Sequence, residues 1–353
     1  MSNIDVPINS KIAVGLSGGV DSAVSALLLK QQGFEVSGIH MQCWDYDARG
    51  CTGKKDRADA VEVATLLGIK FISLNFQEEY RQKVLDHFFA EYQAGRTPNP
   101  DVLCNKEIKF GLFLNWALAN GYSHIATGHY AALNKSTFYE LTRPKDATKD
   151  QTYFLYQLGQ KELSHAIFPL GDYTKKEVRE LALKNNIPVA QKDESFGVCF
   201  IGNIDLKDFL ATNAGFMPKL GNVLDVDGNI IGSHMGAYAF TIGQRHGFTL
   251  NKYQGEPRYV LKKNVATNEI IVGSQADCMS SVFAITNIHW VGKVFEQPFT
   301  CDCRIRHLGQ LYPCSVNPSS LTVSLEKPAY AVASGQSAVF YKDGLVLGGG
   351  VIA

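Results

Sequence analysis

Between Lys11 and Tyr130 short apolar runs alternate with segments of helical periodicity, and nothing else in the chain narrows the fold as much. Strand-like runs fall at 11–16, 36–41, 71–74 and 124–127, with helical patterns at 22–32, 56–67, 78–92 and 106–120. Strands separated by helices predict a parallel sheet covered on both faces. Helical patterns continue at 150–158, 161–167 and 174–185. After about residue 215 the texture changes: glycine becomes frequent and short β-like runs replace helices. The runs at 223–226 and 230–231 flank Asp227-Gly228, a hairpin signature. From Phe283 onward at least five short strands, ending in GLVLGGGVIA, predict a small antiparallel barrel. The expected fold class is therefore α/β: an N-terminal Rossmann-like domain (1–205), a small mostly-β central domain (206–279) and a C-terminal antiparallel β-barrel (280–353).

Composition excludes several classes. With 45 % hydrophobic and 19 % charged residues over 353 positions, the chain is neither disordered nor a coiled coil. Its unbroken apolar stretches, 26–29 among them, are far short of the roughly 18 residues of a membrane span. The opening MSNIDVPINS has no basic start followed by an apolar run, so a soluble, cytoplasmic protein with no membrane partner is expected. Basic and acidic residues balance at 34 each, so any nucleic acid must be held by local patches. Eight cysteines without a CxxC pair fit reduced thiols, with any disulfide transient and catalytic.

The first strand and first helix are joined by Ser17-Gly18-Gly19-Val20-Asp21-Ser22. Glycines there let backbone amides approach an anion, and a helix N-terminus adds partial positive charge. No lysine ends the loop, so it is not a Walker loop. The SGGxDS pattern resembles the PP-loop of ATP pyrophosphatases, which cleave ATP between the α- and β-phosphates and adenylate a substrate. That resemblance implies that Gly15, Leu16, Ser17, Gly18, Gly19, Val20, Asp21 and Ser22 hold ATP, with Asp21 helping to bind Mg²⁺. Met41 ends the second strand, where this class holds the adenine ring; a core methionine is the equal alternative. Gly128, in ATGHY after the fourth strand, sits at the carboxyl edge where open sheets bind ligands.

Two cysteines stand in informative surroundings. In GRTPNPDVLCNKEIKFG two prolines predict an extended polar loop that delivers Cys104 to the start of a helix. A thiol there is expected to ionise readily beside the helix N-terminus and Lys106, with Asp101 three residues away as acid or base. Cys199, in KDESFGVCFIG, lies between glycines that suggest a segment able to move; burial by Val198, Phe200 and Ile201 reads equally well.

RTPNPDxLCNKxIKFG, ATGHYA, KDQTYFLYxL, GxCFIG and TxGQRxG together resemble the tRNA-specific 2-thiouridylases of the MnmA type, from Gly15 to Gly350. The family implies Cys104 and Cys199 as the catalytic pair and Asp101 as acid/base; from persulfide chemistry Cys199 is expected to carry the sulfur and Cys104 to close a disulfide at the end of turnover. Asn99, Pro100 and Asp101 would meet the target uridine, and Lys149, Asp150 and Gln151 would contact tRNA. An Arg-Tyr pair in the family's barrel reads Arg306-His307 here. The implied partners are tRNAs accepting lysine, glutamate and glutamine, a persulfide carrier or cysteine desulfurase, and a thiol reductant. Other readings are a PP-loop ligase for another substrate, which would not need the two cysteines, and a non-catalytic RNA-binding protein.

No metal site is expected. Cys301, Cys303 and Ile305 alternate with Asp302, Arg304 and Arg306, a period of two that puts the thiols on one buried strand face. Together with His307 and Cys314 they match no common zinc spacing. His40, His124 and His129 read as structural or as supports of a site rather than as ligands, Cys43 and Cys51 have no assigned role, and Lys175-Lys176 read as a solvated helix face, with a tRNA-facing patch as the alternative.

Overall fold

The computed structural model describes residues 6–44, 53–193, 205–252 and 255–353. Cys51 and Cys199 lie outside the described residues.

The N-terminal sheet contains β1 (Lys11–Gly15), β2 (Glu35–Gln42), β3 (Lys70–Asn75), β4 (His124–Ala126) and β7 (Ala166–Ile167), ordered β3-β2-β1-β4-β7. Its pairings are parallel, with Ile12 opposite Val36 on one side and His124 on the other. Ile12, Ala13 and Val14 are all fully buried, as a strand sandwiched between helix layers requires. One face is covered by α1 (Val20–Gln31), α2 (Gly53–Leu67) and α6 (Lys175–Lys184). The other is covered by α3 (77–93) and α4 (100–119). Both of these helices widen to π-geometry, at Arg81–Leu85 and Cys104–Leu112. Gly111 suits the second: a Cβ there would lie 2.8 Å from the Lys106 carbonyl.

Two sequence expectations fail in this domain. The pattern at 161–167 is a four-residue helix, α5 (Gln160–Leu163), followed by the edge strand β7. The pattern at 150–158 is one 3₁₀ turn, Thr152–Phe154, in a buried connection. Tyr153, Leu155 and Tyr156 there are fully buried, and packing against two domains explains an apolar spacing that looked helical.

After α7 (Leu206–Ala214) comes a mixed five-stranded sheet. Its members are β8 (Gly221–Leu224), β9 (Ile230–His234), β10 (Phe248–Leu250), β11 (Tyr259–Asn264) and β12 (Glu269–Gly273). The predicted hairpin is β8–β9, turned by Gly228 at φ +86°. The barrel is built from β13 (Met279–Trp290), β14 (Phe299–Arg304), β15 (Tyr312–Asn317), β16 (Thr322–Tyr330), β17 (Ser337–Lys342) and β18 (Leu345–Ile352). Pairing of β13 with both β16 and β18 closes it. A hairpin of the first domain, β5 (Ala132–Lys135) and β6 (Tyr139–Thr142), pairs with β18 and extends the barrel sheet. Cys303 and Cys314 belong to the barrel core, with the partly buried Cys301 packed against it. Cys301 and Cys314 face each other across strands at 3.6 Å.

Candidate functional site: the carboxyl edge of the parallel sheet

Strand order reverses between β1 and β4, so the crevice beyond their carboxyl ends is where an open α/β sheet binds ligands. The Ser17–Ser22 loop follows β1, and Thr127-Gly128 follows β4. The two touch closely: a Cβ on Gly128 would lie 2.8 Å from the Ser22 amide nitrogen and 3.2 Å from the Asp21 side chain. Gly18 has φ +78°, and a Cβ on it would collide with the Asp56 carbonyl of α2. Ser22 shapes the loop from within, donating to the Gly19 carbonyl at 2.9 Å and accepting from the Ser17 amide at 3.2 Å. Gly19 is the N-cap of α1 and brings no side-chain oxygen, so the first turn presents amides beside the loop. Met41 is nearly buried, its methyl directed at Gly15.

The loop is not without cations. Lys175, at the first position of α6, donates to both carboxylate oxygens of Asp21 at 2.8 Å, and the Tyr130 hydroxyl donates to Asp21 at 2.9 Å. Lys192 donates to the Gly18 carbonyl at 2.9 Å and to Asp56 at 2.7 Å, and it pairs with Asp59. Burial alone would lower its ammonium pKa, but Asp56 and Asp59 outweigh burial and raise it. The reading of Lys175 as solvent-facing is therefore wrong, whereas Lys176 is exposed as expected. No local signal distinguishes them; only the packing of α6 beside α1 does so.

α4 runs past the same edge. Its Phe113 approaches Gly15, and Phe110 packs on His129 with ring centroids 6.0 Å apart. Burial, reinforced by Lys109, holds His129 well below the usual histidine range, so its ring is neutral. Lys109 Nζ lies 3.5 Å from Nε2, and Thr127 Oγ1 lies 2.8 Å from Nδ1. His129 is structural, as expected.

Cys104 does not begin a helix, and it does not sit in a polar loop. The helix starts at Pro100 with Asn99 as N-cap, so Cys104 is already in the second turn. It is fully buried, in one cluster with Val102, Ile108 and Phe110, while Lys106 is exposed. The prolines act as helix starters here, Pro100 occupying the first-turn position where a missing N–H costs nothing. Asp101, partly buried, lies one turn before Cys104 on α4.

The loop leading into α4 is where three domains meet. The Thr97 amide donates to the Ser334 carbonyl at 2.9 Å, and Gln336 Nε2 donates to the Thr97 carbonyl at 2.8 Å. Thr97 Oγ1 lies 3.3 Å from Thr241 Oγ1, within the TIGQRHG stretch of the central domain. Asn99, Pro100 and Asp101 thus sit beside a junction of all three units.

The residues at 149–151 have unequal surroundings. Asp150 is fully buried and accepts from Arg143 Nε at 2.8 Å and from Arg304 Nη1 at 2.9 Å. Burial pushes its carboxyl up, but Thr152, Arg143 and Arg304 together outweigh it and hold the pKa below the ordinary value. Asp150 therefore bolts the first domain to the barrel and presents no surface to RNA. Gln151 accepts from the Tyr130 amide at 2.9 Å, and Lys149 is partly buried. Arg306 donates to the Ala331 carbonyl at 2.8 Å and stacks over Tyr330. His307 is exposed but lies on Phe154 at 4.2 Å, and this partial desolvation pushes its pKa down to about 4.

Among the described residues no group of three or more His, Cys, Asp or Glu could hold a metal ion, and no helix is long and apolar enough to cross a membrane.

Residues 10–203 match a family described as the tRNA methyl transferase HUP domain, 207–274 its PRC-barrel domain, and 280–352 an aminomethyltransferase β-barrel domain. A tRNA-specific 2-thiouridylase of Aliarcobacter butzleri is 43 % identical over 98 % of this chain and 98 % of its own length. One from Halalkalibacterium halodurans is 43 % identical over 98 % and 95 %, and one from Francisella philomiragia is 42 % identical over 98 % and 99 %. With identity at this level along nearly the whole of both chains, the chain belongs to the tRNA-specific 2-thiouridylase family.

Proposed function

We propose that this protein replaces the oxygen on carbon-2 of a wobble uridine with sulfur, using ATP, in tRNAs accepting lysine, glutamate and glutamine. The observation that carries the ATP half is the Ser17–Ser22 loop at the β1/β4 switch point, its glycines packed against Gly128 and α2 and leading into the N-terminus of α1. The carbonyl oxygen of the uridine attacks the α-phosphorus, pyrophosphate leaves, and the adenylated oxygen becomes a good leaving group. Mg²⁺ binds through one or two carboxylates plus substrate phosphates and water. Asp21 supplies one such carboxylate, so the residues fit a metal that arrives with ATP; when bound, it would neutralise charge on the phosphates.

Sulfur arrives on Cys199 as a persulfide, from a carrier protein or desulfurase. Its terminal sulfur attacks carbon-2 and AMP departs, leaving the new sulfur still bonded to Cys199. The Cys104 thiolate then attacks the Cys199 sulfur, releasing 2-thiouridine and forming a Cys104–Cys199 disulfide. A thiol reductant restores both thiols. Asp101 handles the proton, with Asn99 and Pro100 beside the base. Lys149, Gln151 and Arg306 support the tRNA, and the chain divides into units at about 205 and 279. Burial of Cys104 protects its thiol between turnovers.

The test is sulfur loading. Each single serine variant is charged with labelled sulfur from a desulfurase, and bound label is counted beside tRNA-dependent pyrophosphate release. Cys104→Ser should hold label yet fail to finish turnover, and Cys199→Ser should hold none. Label that survives in Cys199→Ser and vanishes in Cys104→Ser would reverse the roles. Release of ADP and phosphate would refute the pyrophosphatase chemistry.

A further inference from the structure

Lys175 is out of place for a purely structural residue. It occupies the first position of α6, where the helix dipole disfavours a cation. Thr174 and Glu177 already cap that terminus: the Glu177 amide donates to Thr174 Oγ1 at 3.2 Å, and Glu177 accepts from the Thr174 amide. The ammonium therefore adds nothing to the cap. Instead it reaches across to Asp21 and lies over the Tyr130 ring at 5.8 Å. Its side chain is 12 % exposed, whereas Asp21 keeps 31 % exposure, so the pair stands at the wall of the crevice with the carboxylate still open to it. Lys192, in contrast, is held by Asp56, Asp59 and the Gly18 carbonyl and braces the back of the loop.

We infer that Lys175 is a phosphate ligand of the ATP site, taking the part that a lysine within the loop plays in Walker-type sites. The inference rests on the reading of Ser17–Ser22 as the ATP loop. Without nucleotide, Asp21 and Tyr130 hold the ammonium beside the loop. When ATP enters, Lys175 donates to oxygens of the β- and γ-phosphates and stays with the pyrophosphate as the bond to the α-phosphorus breaks. Nothing is oxidised and no proton is transferred, because the ammonium acts as a fixed charge. Asp21 then has a lone pair free to face the arriving cation. A charge-assisted contact of this kind corresponds to roughly ten- to a hundredfold in affinity.

Binding to the full-length protein tests this without turnover. Calorimetric affinities for ATP, AMP and pyrophosphate, with Mg²⁺ present, are compared among wild type, Lys175→Met and Lys175→Arg, alongside thermal midpoints. Lys175→Met should weaken ATP and pyrophosphate by roughly ten- to a hundredfold and leave AMP within about twofold. Lys175→Arg should recover most of the loss. Equal weakening of ATP and AMP would mean that the residue only shapes the loop, and unchanged ATP affinity would remove it from the site; either overturns the proposal. If wild type bound ATP no better than AMP, the ATP-loop reading itself would fall, and this inference with it.

Discussion

Two carboxylates in this molecule each accept from two side-chain donors with nearly equal geometry yet work in opposite regimes. Asp21 takes Lys175 at 2.8 Å and Tyr130 at 2.9 Å, at the lip of the sheet crevice. Asp150 takes Arg143 at 2.8 Å and Arg304 at 2.9 Å, between the first domain and the barrel. The difference is water. The Asp21 side chain is 31 % exposed, so solvent screens the pair and its partners can be exchanged cheaply. Asp150 is fully buried and the Arg304 side chain only 4 % exposed, so water cannot stand in for either partner of that pair. Distance alone does not separate a pair poised for a ligand from one that joins domains; burial does.

The sharpest way to break this comparison is to neutralise each carboxylate in turn. Asp150→Asn leaves the buried Arg304 guanidinium, with the partly exposed Arg143, facing a neutral amide and should cost about 3–5 kcal/mol of stability. Asp21→Asn should cost less than about 1 kcal/mol, because water replaces what is lost. Urea unfolding followed by tryptophan fluorescence measures both. Similar losses for the two variants would mean that burial does not set their roles.

That difference was not legible in the sequence. Lys149-Asp150-Gln151 looks like a polar surface run, and the partners that bury Asp150 come from Arg143 and from Arg304, far along the chain. Lys175 likewise sits in a KKE run that looks solvated, and it meets Asp21 only because α6 packs beside α1. Local, periodic features did show through: the parallel strands, the glycine loop and its neighbour Gly128, the Asp227-Gly228 hairpin and the barrel strands. What stayed hidden was either too short to show a period, as in the two-residue β7, or was decided by distant contacts. The hairpin of β5 and β6, joined to β18, is of that second kind, as is the burial of Cys104 by its neighbours on α4 and beyond.

A smaller effect comes from pH. Burial is the leading cause that lowers the pKa of His40, His129 and His234, so the folded state keeps these rings neutral. A histidine with a depressed folded pKa adds stability in full above its unfolded value of about 6.5, and loses it as pH falls towards the folded value. Asp150, also depressed, adds stability above about 3.9 and loses it only below that. The wild-type urea midpoint should therefore start to fall below about pH 6.5, well before the domain bolt is protonated. Asp150→Asn should keep this slope between pH 7.5 and 5 from a lower starting point. A flat midpoint over that range would show that the histidines are not neutral in the fold.

The smallest expected effect distinguishes two neighbours on the barrel. Arg306 is always charged, and although one of its nitrogens is committed to the Ala331 carbonyl, its other donors remain to meet a phosphate. Partial burial pushes the His307 pKa further below physiological pH, so it can stack on a base or donate a hydrogen bond but does not neutralise a phosphate. With 34 basic and 34 acidic residues there is no general field to mask the loss of one contact. Arg306→Ala should therefore weaken tRNA binding and reduce the slope of log affinity against log salt by about one. His307→Ala should leave that slope unchanged even where affinity drops. Filter binding of tRNA across a salt series reads both, and an unchanged slope in Arg306→Ala would take Arg306 out of the phosphate-binding surface.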